Sequence, residues 1–188
     1  MAFRRGFKTE AEQITQEVRA DLGLSLRDRL DPLHLADELD IPVWPLSALP
    51  SAVPHLDAIA DSVTYLSLTD QTALSAVTVF SGAARVIVHN DAHAPARQTS
   101  NLSHELAHAL LLHLPTPALD RRGCRQWNAD VEDEANWLGG ALLIPGPAAW
   151  WAASRRLSLD QIAGHFGCSL EMARWRLNVT GARRLLTG

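Results

Sequence analysis

A chain of 188 residues, 47% hydrophobic and 20% charged, has the length of one domain plus a small appendage and the composition of a globular protein, which excludes a disordered chain. A net charge of −4 excludes a basic-surface nucleic-acid binder for the chain as a whole, and two cysteines, Cys124 and Cys168, are too few for a disulfide framework. No apolar run approaches the roughly 18 residues of a membrane span, and Glu10, Glu12 and Gln13 stand where a signal peptide would need its apolar stretch. A cytoplasmic location is the expectation.

In chain order, Thr9 with Glu12 reads as a capping box, and Ala11, Ile14, Val18 and Leu22 recur at helical spacing. Asp31-Pro32 reads as the cap and first residue of a short second helix carrying Leu33, Ala36 and Leu39. Residues 41–46 are apolar but contain Pro42 and Pro45, so they form at best an edge strand. Three runs rich in Val, Ile and aromatic residues, 62–68, 75–80 and 85–89, predict strands, the last two joined as a hairpin through 81–84.

After Pro95 the pattern turns helical, with a stripe of Leu102, Leu106, Ala109, Leu110 and Leu114 that Pro115 and Pro117 end. A polar stretch, 120–128, leads to a second long helix from about 130 to 143, stopped by Pro145-Gly146-Pro147. The last forty residues are helical again, with a capping box at Ser158 and Gln161 and Gly167 between two short helices. These elements predict an α+β fold. Its small twisted, mostly antiparallel sheet packs on the two long helices, and a helical unit closes the chain.

The chemistry lies in His104-Glu105-Leu106-Ala107-His108. Positions four apart on a helix differ by about 40° of rotation, so both imidazoles project from one face and can share a zinc ion. Glu105 lies about 100° round from His104, close enough to serve a metal-activated water as general base. The helix is otherwise very apolar, and such polar groups are costly to bury without a ligand. A third ligand is needed. The metzincin arrangement would place Gly and His at 111 and 114, where this chain has Leu, and His113 comes one residue early with no Gly to turn the chain. The second long helix offers Glu132 and Glu134, between which spacing alone does not choose. Glu132 shares a face with Asn136, which can hydrogen-bond a ligating histidine, and Gly139 and Gly140 allow close helix packing.

The pair HELAHALLLH (104–113) and EDEANWLGGALLIP (132–145) resembles the ImmA/IrrE family of metallopeptidases, as do DPLHLADELDIPV (31–43) and RVIVHND (85–91). The resemblance covers nearly the whole chain. It implies a zincin-like metallopeptidase domain over 1–149 and a helix-turn-helix-like unit over 150–188 packed on it. It implies Zn(2+) held by His104, His108 and Glu132, with Glu105 as general base and Asn136 in support. It also implies a regulatory endopeptidase whose partner is a protein substrate, a helix-turn-helix repressor encoded nearby, in stress response and transcription regulation. Tyr65 and His93 are candidates for transition-state stabilisation, and 75–80 or 85–89 for the edge on which substrate docks as a strand. Trp137-Leu138 and the unusually small Gly139-Gly140 depart from the family pattern.

Six arginines against Asp160 and Glu171 give 150–188 a charge of +4, leaving −8 for the rest. DNA contact through this unit is one alternative reading, although two helices lack the third of a reader domain. A non-catalytic module that binds a regulator without cutting it is the other. Trp150, Trp151 and Trp175 are expected to pack the unit onto the peptidase body, and Cys124 is a possible redox-sensitive thiol in a polar loop.

Overall fold

The structure is a computed structural model, which describes residues 3–53, 55, 59–82, 84–113 and 128–186. Cys124 and most of the polar stretch expected at 120–128 lie outside the described residues. Helix α1 (Phe7–Asp21) buries Phe7, Ala11, Thr15 and Val18 along one stripe. Its start differs from the capping box expected at Thr9 and Glu12. The helix begins at Gly6, whose φ of 85° is open to glycine, and no side chain caps it. Glu12 instead faces inward, accepting from the Gly146 amide at 3.0 Å and from Arg176 at 2.9 Å. Helix α2 (Pro32–Glu38) follows the expected pattern, with Asp31 accepting from the Leu33 amide at 3.0 Å.

Among the described residues the sheet is mixed and has three strands. Strand β1 (Val43–Pro45) runs parallel to β3 (Ala84–His89), with Val43 opposite Ile87, and β2 (Ala76–Ser81) runs antiparallel to β3, with Thr78 opposite Ile87. The order β1-β3-β2 puts β3 in the centre. Strand β1 is short because Pro42 and Pro45 lack the amide a longer ladder needs. A 3-10 turn (Leu46–Ala48) and a short helix α3 (Leu49–Ala52) follow it.

The strand expected at 62–68 is instead helical, α4 (Ile59–Thr64) running into a π-helical turn (Tyr65–Thr69). Ile59, Val63 and Leu66 recur at spacings of four and three, and this helical stripe packs with Leu46, Leu49, Leu74 and Val88 in a small second core. A short apolar run rich in β-formers is ambiguous between strand and helix, and packing over β3 decides it here.

Helix α5 (Pro95–Leu110) starts with Pro95 in its first turn, and α6 (Ala129–Leu143) starts under Asn128, whose side chain accepts from the Asp130 amide at 3.2 Å. Helices α7 (Gly146–Ser154), α8 (Leu159–Phe166) and α9 (Leu170–Val179) and a last 3-10 turn (Ala182–Leu185) complete the described chain. Ser158 and Gln161 close the expected capping box, and Gly167 ends α8 at φ 68°. The main core joins Ile87 of the sheet, Leu106 of α5, Leu138 and Leu142 of α6, and Ile162, Phe166 and Leu177 of the C-terminal helices. Trp175 meets Trp137 of α6 edge-on at 5.8 Å, and Trp150 donates to the Thr180 carbonyl at 3.1 Å. Among the described residues, no helix is long and apolar enough to cross a membrane.

Two buried arginines tie the C-terminal end of α6 in place. Arg19 donates to the Leu142 and Leu143 carbonyls at 2.8 and 3.2 Å and to Ser25 and Asp28 carbonyls at 2.8 and 3.0 Å. Arg176 donates to the Ile144 carbonyl at 2.9 Å. Helix C-terminal carbonyls carry partial negative charge, which favours a cation there. Burial pulls the Arg19 guanidinium down to about 10, so it stays charged at neutral pH. Replacing Arg19 by Met strands four carbonyls and is expected to cost about 3 kcal/mol. Denaturant unfolding checks this, and an unchanged midpoint contradicts it.

Candidate metal centre

The fold brings the two halves of the expected site together. His104 and His108 lie one helical turn apart on α5, their Nε2 atoms 3.1 Å from each other. Oε2 of Glu132, in the first turn of α6, lies 3.3 Å from His104 Nε2 and 3.7 Å from His108 Nε2. These three side chains form a group able to hold a metal ion. Donors arranged tetrahedrally around zinc at about 2.0–2.1 Å are themselves about 3.4 Å apart, so the observed triangle has the right size. Two imidazole nitrogens and one carboxylate oxygen are the donor set of a catalytic zinc site with one position left open. The three side chains are 19–24% exposed, so the cluster opens to solvent on one side.

The triangle depends on how closely α6 approaches α5. A Cβ placed on Gly139 would stand 2.9 Å from the Ser103 carbonyl oxygen and 3.1 Å from the His104 backbone. The next residue faces the other way. A Cβ on Gly140 would stand 2.4 Å from the Trp175 ring of α9. The glycine pair therefore thins α6 on two sides and lets it lie between α5 and α9.

The His104 and His108 rings, 3.3 and 3.7 Å away, hold the Glu132 carboxyl well below the usual carboxylate range, outweighing burial. Burial works against a charged His104 ring. The Glu132 contact, the charge of Glu105 and a contact with Asn136 outweigh it and raise the ring above its ordinary value. Asn136 stands one turn along α6 from Glu132, on the His104 side, and the buried Nδ1 of His104 has no hydrogen-bond partner among the described residues.

Glu105 points toward the sheet, where the Thr78 hydroxyl of β2 donates to its Oε2 at 2.6 Å. Spacing gives no sign of Thr78, because the contact depends on α5 packing across β2. Glu134 stands outside the donor triangle. Its Oε2 is 3.5 Å from His113 Nε2 and its Oε1 is 3.2 Å from Arg4 Nε. His113 in turn lies against His108, Nδ1 to Nδ1 at 2.9 Å. Burial and the neighbouring His108 push the His113 ring below its ordinary value, against Glu134.

His93 is buried, and both ring nitrogens are engaged, Nε2 with the Gln71 carbonyl at 2.8 Å and Nδ1 with Asn101 at 3.2 Å. Tyr65 is 52% exposed in the π-helical turn. Strand β3 is paired on both sides, which removes 85–89 as a docking edge; among the described residues β2 pairs with β3 alone. Of the tail arginines, Arg176 is fully buried against Glu12, so the surface charge of 150–188 is smaller than its composition suggests. Cys168 is buried and its thiol is pushed up to about 11.

The profile of a protein family described as Peptidase_M78, the IrrE N-terminal-like domain, matches residues 60–178. That span takes in β2, β3, both site helices and most of the C-terminal helices. No curated protein and no solved structure matches the chain.

Gly139→Ala forces a methyl against α5 backbone, which cannot rotate away. It is expected to destabilise the protein by about 1–3 kcal/mol and to weaken metal binding by separating Glu132 from the histidines. Thermal unfolding and zinc titration check both effects, and a variant that matches the wild type in both contradicts the packing account.

Proposed function

Because this chain belongs to the IrrE N-terminal-like family of M78 peptidases, we propose that it is a zinc-dependent endopeptidase that cuts a regulatory protein. The observation that carries this reading is the convergence of His104 Nε2, His108 Nε2 and Glu132 Oε2 within 3.7 Å, with Glu105 beside them on α5. These three residues would hold the zinc, and Asn136 would steady the His104 ring. When bound, the ion supplies Lewis-acid polarisation of the scissile carbonyl and lowers the pKa of water.

The protein's own groups do the rest. Glu105 is the general base, taking the proton of the attacking water and passing it to the leaving amine. Thr78 occupies one carboxylate oxygen of Glu105, which fixes the plane of the group and leaves the other oxygen for the proton. The substrate main chain adds to the edge of β2 that faces away from β3 and has no strand partner among the described residues; β2 also carries Thr78, so the scissile bond is delivered next to the base. The substrate class, by the family resemblance, is a helix-turn-helix repressor encoded nearby, whose cleavage would switch on the genes it silences.

Glu105→Gln is expected to keep the fold and the zinc and to lower the cleavage rate by about 10²–10⁴. Thr78→Val is expected to lower kcat more than it raises KM, because it disturbs the base and leaves substrate binding intact. Zinc analysis and steady-state cleavage of the neighbouring repressor measure these effects. Undiminished cleavage by Glu105→Gln contradicts the mechanism.

A further inference from the structure

The His108 ring has a neighbour that the metal reading does not use. Helix α5 ends at Leu110, and the two residues after Leu111 reverse the chain. Leu112 takes a φ of 52°, its amide donates to the Ala109 carbonyl at 3.1 Å, and the His113 amide donates back to the His108 carbonyl at 3.0 Å. This is a Schellman closure, which helices usually make on glycine. Here a leucine holds the left-handed position with its side chain 75% exposed, so it gains no burial in return for the strain. The effect is to lay His113 against His108, with ring centroids 5.0 Å apart and planes at 67°.

The two Nδ1 atoms, 2.9 Å apart, form a hydrogen bond only if one carries a proton and the other does not. His108 Nε2 faces Glu132 and His104, so as a ligand it keeps its lone pair there. Its proton then sits on Nδ1 and is donated to His113 Nδ1. The proton of His113 must therefore sit on Nε2, 3.5 Å from Glu134 Oε2. Glu134 is held on its other oxygen by Arg4, which also binds Glu10. One arrangement of protons satisfies the whole chain of groups.

Resting on the zinc reading above, we propose that His113 is a positioning residue for the metal centre, forming with Glu134 and Arg4 a relay that locks His108 in its Nδ1–H tautomer and fixes its ring. A ligating histidine ordinarily gives its second N–H straight to a carboxylate, a carbonyl or water. Here an imidazole is interposed, and the Glu134 carboxylate polarises it from behind. The relay links the end of α5, which carries His108, and the first turns of α6, which carry Glu132, to the segment before α1, which carries no residue of the donor triangle. It also gives the second carboxylate of the acidic cluster a task distinct from that of Glu132.

The test is zinc affinity of the full chain by chelator competition. His113→Leu is expected to weaken zinc about 10–100-fold. His113→Gln, whose amide accepts from His108 and donates to Glu134, is expected to restore most of that loss. Equal affinity in His113→Leu and wild type overturns the relay, as does a His113→Gln variant no better than His113→Leu. Nitrogen-15 NMR of the imidazoles in zinc-loaded wild type supplies a readout that needs no variant to fold. It is expected to show protons on His108 Nδ1 and His113 Nε2, and a proton on His113 Nδ1 overturns the proposal. A wild-type chain that takes up no zinc overturns the metal reading itself, and the relay falls with it.

Discussion

The contact of α6 with α5 at Gly139 sets the geometry of everything that follows. Two histidines on one helix fix only a direction, and the third donor must come from another element at a distance set to tenths of an ångström. Gly139 brings α6 against the backbone of His104 itself, so the helix axes are spaced by main chain and not by flexible side chains. Glu132 then lies two turns back along α6, its carboxylate between the two rings. The position of α6 along its own axis is fixed at the other end, where Arg19 and Arg176 take hold of its last carbonyls. A helix gripped at its middle by close packing and at its end by buried cations has little freedom to slide or turn.

Glu12 connects this grip to the rest of the molecule. It accepts from the first amide of α7 and from Arg176 of α9 while standing on α1. One carboxylate thus joins the N-terminal helix, the C-terminal helices and, through Arg176, the end of the site helix. The electrostatics of the chain follow the same plan. The acidic body and arginine-rich tail meet partly inside the protein, where Arg176 is buried against Glu12. Asp130 and Glu132 both sit in the first turn of α6, where the helix dipole favours carboxylates. Dipole and site therefore ask for the same residue at Glu132.

Local signals were the legible part of the sequence. Asp31-Pro32, the Ser158–Gln161 box, Gly167 and the hairpin at 75–89 each carry their conformation in a few adjacent residues, and each forms as read. The motif at 104–108 likewise needs only helical periodicity to place two rings on one face. What the sequence hid depends on tertiary contact. Thr9 and Glu12 have the letters of a cap, but a buried arginine far along the chain claims Glu12. The run at 62–68 has the composition of a strand, yet its apolar side chains fit a helix over β3. Glu132 and Glu134 lie two residues apart, about 200° round a helix. The rotation of α6 decides which faces the histidines, and Gly139 and Gly140 set that rotation only once their neighbours are known. His113 looked badly spaced because the turn at Leu112 is made without glycine, and Thr78 carried no sign at all.

The most direct measurement is the zinc content of the purified, chelator-treated and reloaded chain beside its Glu132→Gln and Glu134→Gln variants. One tightly held ion per chain in the wild type, kept in stoichiometry by Glu134→Gln and lost in Glu132→Gln, is the predicted result. A wild type that holds no zinc, or a Glu132→Gln variant that holds it as well as the wild type, contradicts the account.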